Sequence, residues 1–280
     1  MKVLPFKIPK PQQDALVFQE DLEDVFYDKL HQHEEIQLSV IVSGEGALIV
    51  GDTIHQYKTG DVLIIGSNLP HVFKSDEHGS GPSHMLTLFF TENAFGTHFF
   101  DLVELQELAP FFKRVEQGFK PTSQTADIKA LFFKLKEATK LERFIILLEL
   151  LKLTSKVSYE SLSSFIYDKK YTDNEGKRMR DVFEFTMTHY SEEISLETIS
   201  EIAVMTKNAF CKYFKKRTNK TYFQFLNELR IEQACKLILK ENDLSISEIA
   251  YQSGFKNISN FNRQFKAVKH CIPSAYKKQV

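Results

Sequence analysis

Apolar residues recur along this chain with two different periods, and the change between them divides it. From about Val17 to Phe90 they come in short β-branched or aromatic runs: Ile36–Val42, Ala47–Val50, Val62–Ile65 and Leu86–Phe90. The turn signals Gly44-Glu45-Gly46, Gly51-Asp52 and Gly60-Asp61 separate them. Many short strands at this spacing predict an antiparallel barrel or jelly roll. After Thr91 the pattern turns helical: Leu131, Phe132, Leu135 and Ala138 share a helix face, and Leu147, Leu148 and Leu151 continue it within Phe144–Leu153. Thr172-Asp173-Asn174-Glu175-Gly176 has the composition of a linker or loop, and everything beyond it is predicted helical.

The last hundred residues hold one pattern twice, as "ISLETISEIAVMTKNAFCKYFKKR" and "LSISEIAYQSGFKNISNFNRQFKAV". Each predicts a short apolar helix, a tight turn and a second helix with two buried phenylalanines. In the first copy Ser195 and Thr206 stand at N-cap positions. Phe210 and Phe214, four residues apart, share the buried face. Asn208, Cys211 and Lys212 then project outward, with Lys215, Lys216 and Arg217 at the end expected nearest phosphates. In the second copy Ser245 and Glu248 have capping-box spacing, and Gly254 supplies the positive φ of a sharp turn. Phe261 and Phe265 repeat the buried pair, leaving Asn257, Ser259, Asn260, Asn262, Arg263 and Lys266 for the outer side. Asn pairs bidentately with adenine and Arg with guanine, each contact worth roughly 1–3 kcal/mol of discrimination. Tyr222 to Lys240 is predicted as one connecting helix, its Phe225, Leu229, Ala234, Leu237 and Ile238 toward the core. It would hold the two second helices about 34 Å apart, one turn of B-DNA.

Charge sharpens this picture. The net charge of −1 averages unlike halves: residues 1–176 carry 18 Lys+Arg against 26 Asp+Glu, and residues 177–280 carry 18 against 11. A basic C-terminal segment behind an acidic one fits nucleic-acid contact by the C-terminal half. Cys211, Cys235 and Cys271 lack metal-ligand spacing and fit a reducing compartment. The N-terminus has no apolar core of a signal peptide, and the most apolar stretch, Phe144–Leu153, is too short to span a bilayer. A soluble, cytoplasmic protein is expected, with no membrane partner.

Residues 178–278 resemble the DNA-binding domain of the AraC/XylS family of bacterial transcriptional regulators. The resemblance rests on "RIEQACKLILKENDLSISEIAYQSGF", "FNRQFK" and "PSAYKK" in that order. It implies that Asn208, Cys211 and Lys212 lie at the first base-reading positions, and Ser259, Asn262 and Arg263 at the second. One departure is Val204, where the family often has glycine; a β-branched residue resists positive φ, so that turn must find another geometry or carry strain.

The stretch His31-Gln32-His33-Glu34-Glu35-Ile36-Gln37 followed by Gly44 resembles the first motif of cupin barrels. Gly60-Asp61 through Gly66-Ser67-Asn68-Leu69-Pro70-His71 resembles the second. In a strand, His31, His33 and Gln37 would share one face, and His71 could join them from a neighbouring strand. In cupin enzymes this constellation, with a carboxylate at the position of Gln37, binds a divalent transition metal. Three readings stay open for the set: an effector pocket, a metal site, or a polar network of structural residues. His31, His33, Gln37 and His71 are assigned to an effector pocket, with no metal and no cofactor.

These observations predict an α+β chain: an N-terminal antiparallel cupin-like β-barrel with a helical segment, then an all-α domain of two helix-turn-helix units. The expected boundaries are 1–105 for a ligand-sensing barrel, 106–176 for a helical dimerisation or linker segment, and 177–280 for the DNA-binding domain. The expected DNA-binding residues are Thr206, Asn208, Cys211, Lys212, Lys215, Asn257, Ser259, Asn260, Asn262, Arg263 and Lys266. The expected function is a sequence-specific transcription regulator, not an enzyme, that binds double-stranded operator DNA and is switched by a small-molecule effector. Asp127–Ser155, apolar along one face, is a candidate surface for a homodimer, with packing against the barrel as the other reading. Two alternatives are a metal-dependent cupin enzyme of dioxygenase or isomerase type with an appended helical domain, and a non-specific nucleic-acid-binding protein.

Overall fold

The computed structural model describes residues 14–76, 81–166, 173–240 and 243–279. The chain divides into two compact units, meeting between Asp173 and Asn174.

The first unit is built on two antiparallel sheets. The larger contains β1 (Leu16–Glu23), β2 (Ile36–Ser43), β5 (Val62–Ile65), β7 (Ser83–Phe90), β8 (Phe119–Pro121) and β9 (Tyr159–Ser161), in the order β1-β7-β2-β5-β8-β9. The smaller contains β3 (Gly46–Val50), β4 (Thr53–Tyr57) and β6 (His71–Ser75), in the order β4-β3-β6. Alternation along β2 shows why they stack. Ile41 joins Leu63, Ile65 and Met85 against Leu48, Val50, Tyr57 and Phe73 of the smaller sheet, closing a core between the two. Ile36, Leu38 and Val40 point to the other face, with Val62, Ile64, Leu86 and Leu88.

Three helices cover that outer face: α1 (Ala109–Val115), α2 (Thr125–Lys134) and α3 (Lys140–Thr154). Phe111, Ile128, Phe132, Leu147, Leu150 and Leu151 are fully buried against the sheet. Each such side chain contributes roughly 1.5–3 kcal/mol relative to exposure. Thr139 starts α3 with a capping box, its hydroxyl accepting from the Glu142 N–H while the Glu142 carboxylate accepts from the Thr139 N–H. Residues 106–166, the described part of the first unit within the 106–176 expected as a helical dimerisation or linker segment, include β8 and β9, which extend its sheet. Strands of three residues are too short to show an alternating pattern, which is why the sequence hid them.

The second unit is helical, with α4 (Asp173–His189), α5 (Leu196–Ile202), α6 (Lys207–Thr218), α7 (Tyr222–Lys240), α8 (Ile246–Gln252), α9 (Ile258–Lys269) and α10 (Pro273–Gln279). The expectation of a loop over 172–176 is corrected: Asn174, Glu175 and Gly176 belong to the first turn of α4, and Thr172 lies outside the described residues. Their polar composition is that of a solvated helix start, which composition alone does not distinguish from a loop. Phe183 of α4 packs on Phe225 of α7 and Phe214 of α6, while Ile231, Ala234, Cys235 and Ile238 of α7 form a second core with Phe261 and Phe265 of α9. The long helix α7 thus contributes to both cores.

Candidate DNA-reading faces and sensor pocket

Helices α5 and α6 make the first helix-turn-helix. Ser195 caps α5, its hydroxyl accepting from the Thr198 N–H at 3.0 Å, and Thr206 caps α6 by accepting from the Ala209 N–H at 3.4 Å. Phe210 and Phe214 are fully buried, with ring centroids 5.7 Å apart, and Tyr222 packs edge-on against both. That anchorage leaves Asn208, Cys211, Lys212, Lys215 and Lys216 exposed on the opposite face. Arg217 is not with them. Its side chain is only 12% exposed and pairs with the Glu175 carboxylate on α4, so the expectation that it faces phosphates is corrected. The backbone carbonyl of Glu175 accepts a 2.8 Å hydrogen bond from Tyr213, whose phenol burial pushes up to about 12, which keeps it a donor.

Helices α8 and α9 make the second. Ser245 and Glu248 form the capping box, at 3.2 and 2.8 Å. Asn257 is the N-cap of α9: its amide oxygen accepts from the N–H groups of Ser259 and Asn260 at 2.8 and 3.2 Å. That oxygen is committed to the helix start, as is the hydroxyl of Thr206 in the first unit. Phe261 and Phe265 are fully buried, while Ser259, Asn262, Arg263 and Lys266 are exposed. Asn260 is half-buried, and its amide oxygen accepts from the Arg263 guanidinium at 2.9 Å. At the far end of α9, Lys269 bonds the buried Glu232 of α7 at 2.6 Å, fixing the helix to the connector.

The two turns use one hydrogen-bond scheme. Val204 N–H donates to Glu201 and Met205 N–H to Ser200; Gly254 N–H donates to Tyr251 and Phe255 N–H to Ala250, all at 2.9 Å. This pattern needs a left-handed residue just past the helix. Gly254 supplies it at φ 89° and Val204 at φ 53°, so the valine adopts the strained geometry. Beside the second turn lies a cleft of about 720 Å³, bordered by Glu192, Arg230, Tyr251 and Asn260. The sequence pattern gave no sign of it, because its walls come from segments far apart in the chain.

In the first unit a cavity of about 320 Å³ is lined by Gln19, Asp21, Phe26, His31, Gln37 and Phe89, among others. Gln19 and Asp21 come from β1 and escaped the sequence reading, though the alternation of Gln19, Asp21 and Glu23 could have flagged a polar inward face. Burial holds the Asp21 carboxyl above the usual range, against the hydrogen bond from Gln19.

One ring nitrogen from each of His31, His33 and His71 lies within 4.8 Å of the others. Simple strand alternation does not bring them together, which corrects the sequence expectation: β2 begins only at Ile36. An isolated bridge does so, His31 and His71 exchanging backbone hydrogen bonds at 2.9 and 3.0 Å, while the His33 carbonyl accepts from the Asn68 N–H. Three contacts then orient the rings: the Nδ1 atoms of His31, His33 and His71 face the carbonyls of Lys29, Glu35 and Leu69 at 2.7, 2.8 and 2.8 Å. Gln37 lies 3.2 Å from His33 Nε2 and bonds Ser39, which bonds Thr87. His71 is fully buried and its Nε2 has no hydrogen-bond partner; burial, then the neighbouring His31 and His33, hold its pKa well below the usual range.

Two family models match the chain. Residues 199–279 match a helix-turn-helix domain, and residues 24–89 match a cupin domain. The uncharacterized HTH-type transcriptional regulator YdeC of Bacillus subtilis is 24% identical over 260 residues, covering 90% of this chain and 87% of its own length. An uncharacterized HTH-type transcriptional regulator of Staphylococcus aureus is 32% identical over 120 residues, 43% of this chain but only 15% of that protein. Among solved structures, ToxT from Vibrio cholerae superposes over 94% of this chain and 97% of its own, at 14% identity and a TM-score of 0.37.

The chain is therefore a DNA-binding transcription regulator and not an enzyme. More particularly, it carries a helix-turn-helix domain behind an N-terminal cupin domain. Among the described residues no helix is long and apolar enough to cross a membrane.

Proposed function

We propose that this regulator reads an operator through both α6 and α9, each laid in a major groove, the two grooves about 34 Å apart along one face of the duplex. The observation that carries the reading is the matched construction of the two helices. Each is N-capped and anchored by two buried phenylalanines, and each leaves amide and cationic side chains on its outer face. On this reading Asn208, Cys211 and Lys212 face bases from α6, and Ser259, Asn262 and Arg263 from α9. Lys215 and Lys266 meet phosphates, while Thr206 and Asn257 present helix N-termini. Asn260 steadies the guanidinium of Arg263.

The first unit is the sensing half. Its cavity of about 320 Å³ is large enough for a small metabolite, and His31 and Gln37 on its wall supply polar contacts. An effector shifts the regulator only if it favours one arrangement of the chain over another, because equal affinity shifts nothing. Leu141 and Ile145, four residues apart on α3, are exposed apolar groups through which two copies would pair. The site of action is the cytoplasm, where operator DNA is found.

Selection of bound fragments from a random DNA pool, with and without candidate metabolites, tests this reading. Enrichment of two sequence elements one helical turn apart is expected. Recovery of fragments with no shared sequence would leave only non-specific binding.

A further inference from the structure

The charge around the cavity of the first unit is one-sided. Gln19, Asp21 and Glu23 alternate along β1, and the strand register puts them on the sheet face that carries Met85 and Phe89. Two carboxylates therefore border the cavity. Among the described residues, no lysine or arginine lines it.

A neighbour on the same strand shows what is missing. Glu20 points to the opposite face, where Lys136 and His84 each lie 3.0 Å from its Oε1. The bond from Lys136 holds that carboxyl below the usual range. Asp21, one residue on, accepts from the Gln19 amide at 2.6 Å, and among the described residues it pairs with no cation. Burial raises its carboxyl against the Gln19 bond, and the charge of Glu23 raises it further. An ionised carboxylate withdrawn from water in this way gains most from a counter-charge brought by a ligand.

The rest of the wall is largely aromatic. Phe26, Tyr27, Phe73 and Phe89 line it, and Phe26 and Phe73 meet edge to face with centroids 5.8 Å apart. Aromatic faces attract a cation and reward an apolar body at once, so together with a carboxylate they select an organic cation over an inorganic one. Both features repel an anion. Gln37 is already committed, its amide N–H to Ser39 and its oxygen 3.2 Å from His33 Nε2. The polar wall thus offers a ligand chiefly acceptors, which an ammonium, all donors, matches; a sugar brings acceptors of its own that this wall does not answer. The excess of 26 Asp+Glu over 18 Lys+Arg in residues 1–176 adds a longer-range attraction of the same sign.

We propose that this cavity binds an organic cation, a protonated amine on a small apolar body, with the ammonium against Asp21 and the body among Phe26, Phe73 and Phe89. At about 320 Å³ the cavity takes one aromatic ring or a short chain. The proposal deepens the reading of this cavity as the sensing site, and rests on that reading for any consequence at DNA.

The test is calorimetric titration of the full chain, without DNA, using probes alike in shape and unlike in charge. They are 2-phenylethylamine and hexylamine as cations, 2-phenylethanol as the neutral probe and 3-phenylpropionate as the anion. One amine per chain is expected, with 2-phenylethanol at least about tenfold weaker and no binding of the anion. Asp21→Asn, which keeps the side chain's shape, should weaken the amines at least about tenfold and leave 2-phenylethanol unchanged. Glu20→Gln, on the other face, should leave amine binding within about twofold. If the Asp21 variant fails to fold, the ranking of the probes on the unaltered chain decides the matter. No binding by either amine, equal affinity for amine and alcohol, tighter binding of the anion, or equal losses in the two variants would each overturn the proposal. Amine binding that leaves operator affinity unchanged would uphold the cation site and overturn the sensing reading. An operator response to a neutral sugar without amine binding would do the reverse.

Discussion

The two helix-turn-helix units solve the same turn with different residues, and the difference shows what each turn must satisfy. Gly254 and Val204 occupy equivalent positions, both left-handed and closed by equivalent hydrogen bonds. A Cβ on Gly254 would lie 2.6 Å from the Tyr190 carbonyl oxygen and 2.8 Å from Arg230 Nε, which itself donates to that carbonyl. Glycine is required there twice, by its φ and by its neighbours. Val204 is 77% exposed, so only the backbone resists it. The first turn tolerates strain because nothing packs on it; the second has no such freedom.

That contrast predicts the largest effect. Gly254→Ala should destabilise the second unit by about 3 kcal/mol through backbone clash and positive φ together. Chemical denaturation would measure it, and a loss under about 1 kcal/mol would show that the turn can open. The next effects concern the reading faces. Arg263→Ala should lose roughly 1–3 kcal/mol of base discrimination at one operator position. Lys215→Ala should weaken all sequences alike and reduce the salt slope by about 0.9. Arg217→Ala, by contrast, should leave the salt slope unchanged while loosening the α4 contact through Glu175, so equal slopes for the two variants would break the distinction drawn between neighbours on one helix. Val204→Gly should stabilise by about 1 kcal/mol, since relief of left-handed strain exceeds the entropy added to the unfolded chain. The smallest effects are at the caps: Thr206→Ala and Ser245→Ala should each cost about 1 kcal/mol, measured by melting.

How much was legible in the sequence follows from what kind of signal each feature leaves. The caps at Ser195, Thr206 and Ser245, the paired phenylalanines and the span of α7 are local patterns, and the structure places them where spacing predicted. Val204 stands where the second turn has glycine, and its φ shows that the chain carries the strain without changing the turn. Features made by distant residues left no local trace. Glu175 takes Arg217 out of the exposed basic set from 42 positions away. Strands β8 and β9 are too short to declare a period. The three histidine rings come together because a backbone bridge joins segments 40 residues apart, which alternation could only suggest for the wrong reason.

On the proposed reading, two equivalent outward helix faces divide the work between base recognition and phosphate attraction. Its most direct test is the affinity of wild type, Arg263→Ala and Lys215→Ala for a selected operator and each of its single-base variants. The account predicts that Arg263→Ala flattens discrimination at one position only, while Lys215→Ala lowers every affinity by a common factor. Parallel losses by both variants across the whole panel would contradict it.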